Sequence, residues 1–101
     1  MPIMEIKILP LGTETPSVSE HIVNAVKELE QKGVKYELTS MGTIMEADTI
    51  EQLFDMAGQM HKAAFRNNVQ RIVTFIEVDD RKDKNLTMHD KLESAKARLS
   101  K

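Results

Sequence analysis

One carboxylate in this sequence stands where a charged group needs a partner. Glu46 falls in the middle of a predicted strand, on a face where apolar residues such as Leu9 and Ile44 are expected. A carboxylate in that setting requires a cation, a donor-rich ligand or a neighbouring chain, because losing its hydration costs free energy. Glu46 is therefore the first candidate for a binding residue. An ion pair with Lys7, or with an arginine of another subunit, is the structural alternative.

The other residues that could do chemistry fit ordinary structural roles. His21, His61 and His89 fall on three different predicted helices and have no metal-ligand spacing, so packed or solvated histidines are favoured. The chain has no cysteine, which excludes disulfides, thiolate metal sites and cysteine nucleophiles and is typical of a reducing cytosol. The Gly-Thr pairs at 12–13 and 42–43 lack the further glycines and the lysine of a phosphate-binding loop. They are predicted to be turns, and no metal or cofactor is expected.

Length and charge exclude several classes of partner. The chain has 101 residues, with 14 Lys plus Arg against 16 Asp plus Glu, for a formal net charge of -2. This length indicates one domain over residues 1–101. The slight acid excess argues against nucleic acid, whose binding depends on neutralised phosphates. No apolar run approaches the roughly 20 residues of a membrane helix, and the N-terminus lacks a signal-peptide cleavage site. We expect a cytoplasmic protein with no membrane or nucleic-acid partner.

The order of the predicted elements indicates the fold. Apolar alternation predicts strands over residues 3–11, 34–39, 43–47 and 71–79. Helical spacing predicts three helices, one from a Ser17–Glu20 capping box to Gly33, one from Asp48 or Thr49 to Asn67-Asn68, and one capped by Thr87. The sequence therefore predicts an α+β, ferredoxin-like β-α-β-β-α-β fold with an additional C-terminal helix. Its antiparallel four-stranded sheet carries both main helices on one face.

Alternation also assigns each strand residue to one face of that sheet. The helix-covered face is expected to hold Ile6, Ile8, Tyr36, Leu38, Ile72, Thr74, Ile76 and Val78, with Leu29 and Phe54 as helix core positions. The open face is expected to carry Glu5, Lys7, Leu9, Glu37, Ile44, Glu46, Val73, Phe75 and Glu77. Apolar residues among charges on such a face favour burial against a partner. Ordinary scatter of exposed apolar residues is the alternative.

Two activities known for proteins with this topology match the sequence poorly. Acylphosphatases use a phosphate-binding loop with an arginine after the first strand, and residues 11–15 contain no arginine. RNA-recognition modules stack bases on aromatic residues of the two central strands, and the first and third strands here contain none. The charged segment 79–84 is balanced, so by itself it is a solvated loop.

The ordered combination of several motifs is more specific. The hairpin Tyr-Glu-Leu-Thr-Ser-Met-Gly-Thr at 36–43 is followed by the loop Asp-Asp-Arg-Lys-Asp-Lys at 79–84. With Pro-Leu-Gly-Thr at 10–13, Ser-Val-Ser at 17–19 and Arg-Ile-Val-Thr at 71–74, they closely resemble the small thiamine-binding protein family over nearly the whole chain. One departure is Ser40, where that family tends to have proline. The resemblance implies a ferredoxin-like homo-oligomer, a dimer or tetramer, that binds thiamine or its hydroxymethylpyrimidine half without known catalysis.

The implied ligand gives the candidate residues a role. Thiamine joins an aminopyrimidine, with an amine donor and ring-nitrogen acceptors, to a cationic thiazolium. A site for it needs a carboxylate, small hydroxyl or backbone partners, and a flat apolar or sulfur surface. The residues that could supply these are Gly12, Thr13, Met41, Gly42, Thr43 and Glu46, with Glu46 accepting from the exocyclic amine. The alternative is an oligomeric regulatory or structural module that responds to another small polar metabolite. An enzyme is disfavoured because the sequence offers no nucleophile–base pair.

Overall fold

The strand and helix order confirms the α+β, ferredoxin-like fold. A computed structural model describes residues 1–12, 19–65 and 69–100. Its elements are β1 (Ile3–Leu11), α1 (Ser19–Lys32), β2 (Lys35–Leu38), β3 (Thr43–Glu46), α2 (Ile50–Ala63), β4 (Arg71–Asp79) and α3 (Met88–Leu99). The four strands form one sheet in the order β2-β3-β1-β4, and every neighbouring pair is antiparallel. Strand β1 lies between β3 and β4, so its pairing sets the register of both neighbouring strands.

The pairing of β1 confirms the predicted division of the sheet into two faces. Ile6 pairs with Thr43 on one side and with Ile76 on the other. Directly opposed residues share a face, because side chains alternate along each strand. Met4, Ile6 and Met45 are buried in the core beneath α1 and α2. The open face accordingly carries the residues between them, including Glu5 and Ile44.

The core is aliphatic and rich in thioethers, as the composition predicts. It consists of Met4, Ile6, Ala25, Leu29, Met45, Leu53, Met56, Ala57 and Met60. The prediction that Phe54 is a core residue is wrong, since that side chain is 52% exposed while Leu53 is fully buried. The buried stripe of α2 runs through Leu53, Met56 or Ala57, and Met60, at the three- and four-residue spacing of one helix face. Phe54 lies about 100° around the helix from Leu53 and points to solvent.

The helices cover the centre of the sheet better than its edges. Ile76 and Val78 of β4 and Leu38 of β2 lie on the helix side of the sheet, yet each is exposed. β2 and β4 are the two edge strands, whereas the core beneath α1 and α2 is built on residues of β1 and β3. These three residues therefore lie on the predicted face but beyond the part of it that α1 and α2 cover, because the sheet is wider than the pair of helices over it.

The helix ends follow local side-chain chemistry. Thr49 caps α2 and Thr87 caps α3, each in a reciprocal capping box with the residue three positions later. Gly33 ends α1 at a φ of 68°, a left-handed conformation that favours glycine. The helix α2 ends at Ala63. The predicted cap Ser17 and the predicted stop at 67–68 lie outside the described residues.

The C-terminal helix is attached to the sheet through its first turn. The Oε2 atom of Glu46, a residue only 3% exposed, accepts a hydrogen bond from the backbone nitrogen of Met88 at 2.7 Å. Negative charge at a helix N-terminus is stabilising because it complements the helix dipole. Lys35 Nζ lies 3.4 Å from the other oxygen. An ion pair from Lys91 to Asp79 fixes the same turn and lowers the pKa of the Asp79 carboxyl.

Replacement of Leu29 or Leu53 by alanine should lower the free energy of unfolding by about 2–5 kcal/mol, because it removes apolar contacts and leaves a cavity. Phe54→Ala on the same helix is the matched control and should cost much less, since Phe54 is half exposed. Denaturant unfolding measures all three variants. Equal losses for Leu53→Ala and Phe54→Ala would contradict the orientation of α2.

Loss of the Glu46 carboxylate should loosen α3. In Glu46→Ala we expect faster hydrogen exchange at the Met88 amide and a stability loss of about 0.5–2 kcal/mol, as for other lost N-caps. Glu37→Ala, which removes an exposed carboxylate from the same sheet face, should leave that exchange unchanged. Unaltered protection of Met88 in Glu46→Ala would show that the carboxylate does not hold the helix.

Candidate functional site

A mostly apolar cavity lies between α1 and the β2–β3 hairpin, against β1. It has a volume of about 210 Å³. Its lining residues are Ile6, Lys7, Ile8, Leu9, Ile22, Ala25, Leu38, Thr39, Ser40, Met41, Gly42, Thr43 and Met60. Pockets for drug-sized ligands are typically about 300–1,000 Å³. This cavity therefore suits a ligand part of about one ring, held between mostly apolar walls.

The turn at one wall of the cavity is held by a single threonine. The Thr39 hydroxyl donates to the Gly42 carbonyl at 2.8 Å and accepts from the backbone nitrogens of Met41 at 3.2 Å and Gly42 at 3.0 Å. The Thr39 backbone nitrogen also donates to the Gly42 carbonyl. These bonds fix the turn without the proline that the family tends to have at position 40. Threonine hydroxyls often close turns in this way.

Gly42 lets the hairpin approach β1 more closely than another residue could. A Cβ atom at this position would lie 3.2 Å from both Glu5 Cγ and the Ile6 carbonyl oxygen. Both distances are tighter than ordinary contacts, and the carbonyl belongs to a strand that cannot move freely. Beside this contact, Met41 is 68% exposed at the tip of the hairpin. The turn therefore presents a flexible thioether at the cavity mouth from a rigid backbone.

Thr43 is the most informative polar residue of the cavity. It is only 6% exposed, and its hydroxyl makes no hydrogen bond to any other residue that the structure describes. Within those residues no side-chain oxygen or nitrogen is both sealed from solvent and unpartnered. The Thr43 hydroxyl is therefore not sealed from solvent, and Thr43 lines the cavity. A ligand that displaces water there would leave this hydroxyl unpaired unless it supplied a hydrogen bond, which favours a polar group on the ligand.

The structure brings together three of the six residues expected from sequence. Met41, Gly42 and Thr43 line the cavity. Gly12 lies exposed just after β1, at a φ of 73°, and is not among the residues that line it; Thr13 lies outside the described part of the chain. Glu46 lines a separate space of about 420 Å³ beside Lys35. Its two carboxylate oxygens already contact Lys35 and Met88.

The separation of Glu46 from Thr43 has a simple cause. The two residues are three positions apart on β3, and an odd spacing along a strand places side chains on opposite faces. Thr43 pairs with Ile6 on the helix side, whereas Glu46 pairs with Ile3 on the open side. The odd spacing of Thr43 and Glu46 is visible in the sequence and indicates that their side chains lie on opposite faces. The wall residues Ile8 and Leu38 were assigned to the correct face but not recognised as site residues.

Two of the three histidines take structural roles. His21 is buried on α1 and its Nδ1 lies 3.2 Å from the Ala64 carbonyl oxygen, to which it donates. His61 Nδ1 lies 2.6 Å from the Thr74 hydroxyl and so links α2 to β4. Over residues 1–12, 19–65 and 69–100, no three His, Asp or Glu side chains are grouped as metal ligands would be. Over the same ranges, no helix has both the length and the apolar character to cross a membrane.

Comparisons with known proteins agree with this architecture. The UPF0045 protein YqgV of Bacillus subtilis is 39% identical over 98% of both chains. A UPF0045 protein of Methanothermobacter thermautotrophicus is 34% identical over 94% of this chain and 96% of its own. The crystal structure of a hypothetical protein from Methanocaldococcus jannaschii matches with a TM-score of 0.85 and 30% identity, covering 94% of this chain and 95% of that one.

A second solved structure supports the fold alone. It is a protein of Thermotoga maritima described as a candidate in thiamine biosynthesis or salvage. It matches with a TM-score of 0.77 at 21% identity, over 93% of this chain and 97% of its own. The family model described as "Thiamine-binding protein" matches residues 4–96. Because that match spans nearly the whole chain, the resemblance inferred from the hairpin and loop motifs is confirmed, and the chain belongs to the thiamine-binding protein family.

Proposed function

We propose that this single domain binds thiamine, or its hydroxymethylpyrimidine half, in the cavity between α1 and the β2–β3 hairpin, without catalysing a reaction. The observation that supports this most directly is the unpaired hydroxyl of buried Thr43 in a mostly apolar cavity of one-ring size. Membership of a family of binding proteins supports a small-molecule ligand. The absence of cysteine favours the cytoplasm as its location.

The walls suit an aminopyrimidine in chemical terms. Ile8 and Ile22 offer flat apolar contact, and Met41 offers a polarisable sulfur at the mouth. The Thr43 hydroxyl can donate to a ring nitrogen or accept from the exocyclic amine. A cavity of about 210 Å³ does not enclose both rings of thiamine. The cationic thiazolium would therefore stay near the mouth, where it keeps water, because burying an unpaired charge is costly.

The six candidate residues divide into three groups in this proposal. Met41, Gly42 and Thr43 contact the ligand. Gly12 does not line the cavity, and Thr13 lies outside the described residues, so neither is assigned a ligand contact. Glu46 does not bind the ligand and instead holds α3, since both of its oxygens have protein partners.

The binding proposal predicts a specific loss in Thr43→Val, which keeps the shape of the side chain but removes its hydroxyl. Calorimetric titration with thiamine and with hydroxymethylpyrimidine should give an affinity lowered about three- to tenfold, as expected for one neutral hydrogen bond. Glu46→Gln is the control and should bind like the wild type. A weakened Glu46→Gln with an unaffected Thr43→Val would move the site to the open face. No binding of either compound by the wild type would refute the vitamin proposal.

We further propose that the protein self-associates into a dimer or tetramer through its open face. Leu9 and Phe75 are exposed there, the latter by 54%, and they lie among charged residues rather than in a continuous polar surface. Exposed apolar groups rimmed by charge are typical of protein interfaces. The C-terminal helix adds apolar surface, since Leu92 and Leu99 are also exposed.

Phe75→Glu should shift the assembly toward smaller species, because it introduces a charge into the apolar contact. Light scattering at micromolar concentration measures the change. Val23→Glu is the matched control, since Val23 is an exposed apolar residue on α1, away from the sheet. A wild type that is monomeric under these conditions would contradict self-association, and equal effects of both variants would exclude the open face as its site.

A further inference from the structure

Strand β1 extends beyond the end of its neighbour β3. Its pairing with β3 ends where Ile6 lies opposite Thr43, whereas its pairing with β4 continues to Leu11. Over residues 7–11, β1 therefore has a described strand on one side only. The other side, the cavity edge of β1, borders the candidate site, which Ile8 lines. The central strand thus presents backbone groups to the cavity as well as side chains.

Two observations show which backbone groups belong to the cavity edge. The Ile6 carbonyl oxygen lies 3.2 Å from the place that a Cβ atom of Gly42 would occupy, so it points toward the β2–β3 hairpin. Pro10 lies opposite Ile72 within the pairing of β1 and β4, although proline has no N–H to donate, so its backbone faces away from β4. Because backbone groups alternate sides from one residue to the next, those of Ile8 point the same way.

Ile8 carries the one complete pair of donor and acceptor on the cavity edge. It contributes both an N–H and a C=O group, whereas Pro10 contributes a C=O group alone. Within the described residues, no turn, loop or side chain forms a hydrogen bond with the Ile8 backbone. An incoming peptide strand would require a donor at every second residue, and Pro10 lacks one. The cavity edge therefore suits a small planar ligand better than a strand.

We propose that the backbone N–H and C=O groups of Ile8 recognise the amine-bearing edge of the aminopyrimidine. This inference rests on the binding function proposed above and names the contact that makes it specific. The Ile8 carbonyl accepts from the exocyclic amine, and the Ile8 N–H donates to the ring nitrogen beside that amine. The heterocycle thereby takes the place that a further residue of β3 would occupy. The amine has a second hydrogen, which the Thr43 hydroxyl can accept.

This contact assigns specificity to the pyrimidine rather than to the rest of thiamine. A backbone group has a fixed role, since an N–H only donates and a C=O only accepts. A compound with a carbonyl in place of the amine presents an acceptor to the Ile8 carbonyl and a ring N–H to the Ile8 N–H. Both hydrogen bonds are then lost, and the polar groups stay unpaired. A hydroxyl such as that of Thr43 can rotate into either role, so alone it would discriminate weakly.

Oxythiamine, which has a carbonyl in place of the amine, tests this recognition with the wild-type protein. In calorimetric titration its affinity should be about thirtyfold or more below that of thiamine, because two hydrogen bonds are lost. Pyrithiamine is the control, since it keeps the aminopyrimidine and replaces only the thiazolium, and it should bind like thiamine. Equal binding of thiamine and oxythiamine would refute recognition by Ile8 and leave the thiamine proposal standing. No binding of thiamine or pyrithiamine would refute both.

Hydrogen exchange of single backbone amides, followed by NMR, gives a readout at the proposed contact. In the free protein the Ile8 amide should exchange faster than those of Lys7 and Leu9, which face β4. Saturating thiamine should reduce this difference about tenfold or more. General stabilisation by a ligand would instead slow the two neighbours and widen the difference. An Ile8 amide that is as protected as its neighbours without ligand, or that thiamine leaves unprotected, would overturn the proposal.

Discussion

Burial of one face of β1 beneath two helices is the constraint on which the rest of the structure depends. Met4 and Ile6 are almost completely buried on that face. A shift of one residue in the pairing register of β1 would turn both side chains toward solvent. Because β1 is central, its register fixes the side-chain direction of β3 and β4 on either side. Thr43 points into the cavity because it lies opposite Ile6, and Glu46 points to the other face because it lies opposite Ile3. The same alternation thus places Thr43 at the cavity and Glu46 at the first turn of α3.

The fold was predictable from sequence because its signals are local and repeated. Alternation in residues 3–11 and 71–79, the Thr49 capping box and the left-handed Gly33 each specify structure without knowledge of distant contacts. It was harder to predict which residues of the sheet the helices cover, because that depends on how far two helices extend over four strands. Phe54 fitted the helical spacing as well as Leu53 did, and only the packing of α2 against its neighbours separates them. The exposure of Ile76 is a property of the edge, which composition does not reveal.

The structure brings part of the predicted site together and separates the rest. Met41, Gly42 and Thr43 of the hairpin motif line one cavity, whereas Glu46 lies outside it. Glu46 was grouped with them because an aminopyrimidine favours a carboxylate, yet strand parity alone argues against that grouping. The size and position of the cavity are harder to predict from sequence, since they depend on the volume that the side chains of its walls leave unfilled. Ala25 on α1 and Gly42 on the hairpin contribute little volume, and Met60 is an adaptable neighbour rather than a rigid aromatic.

The strand order places the β2–β3 hairpin and β4 toward opposite edges of the sheet. The cavity lies between α1 and that hairpin and extends along β1, which pairs directly with β4. Glu46 does not line this cavity and instead accepts a hydrogen bond from the first turn of α3. The direction in which that helix extends its apolar residues therefore depends on a carboxylate of the sheet.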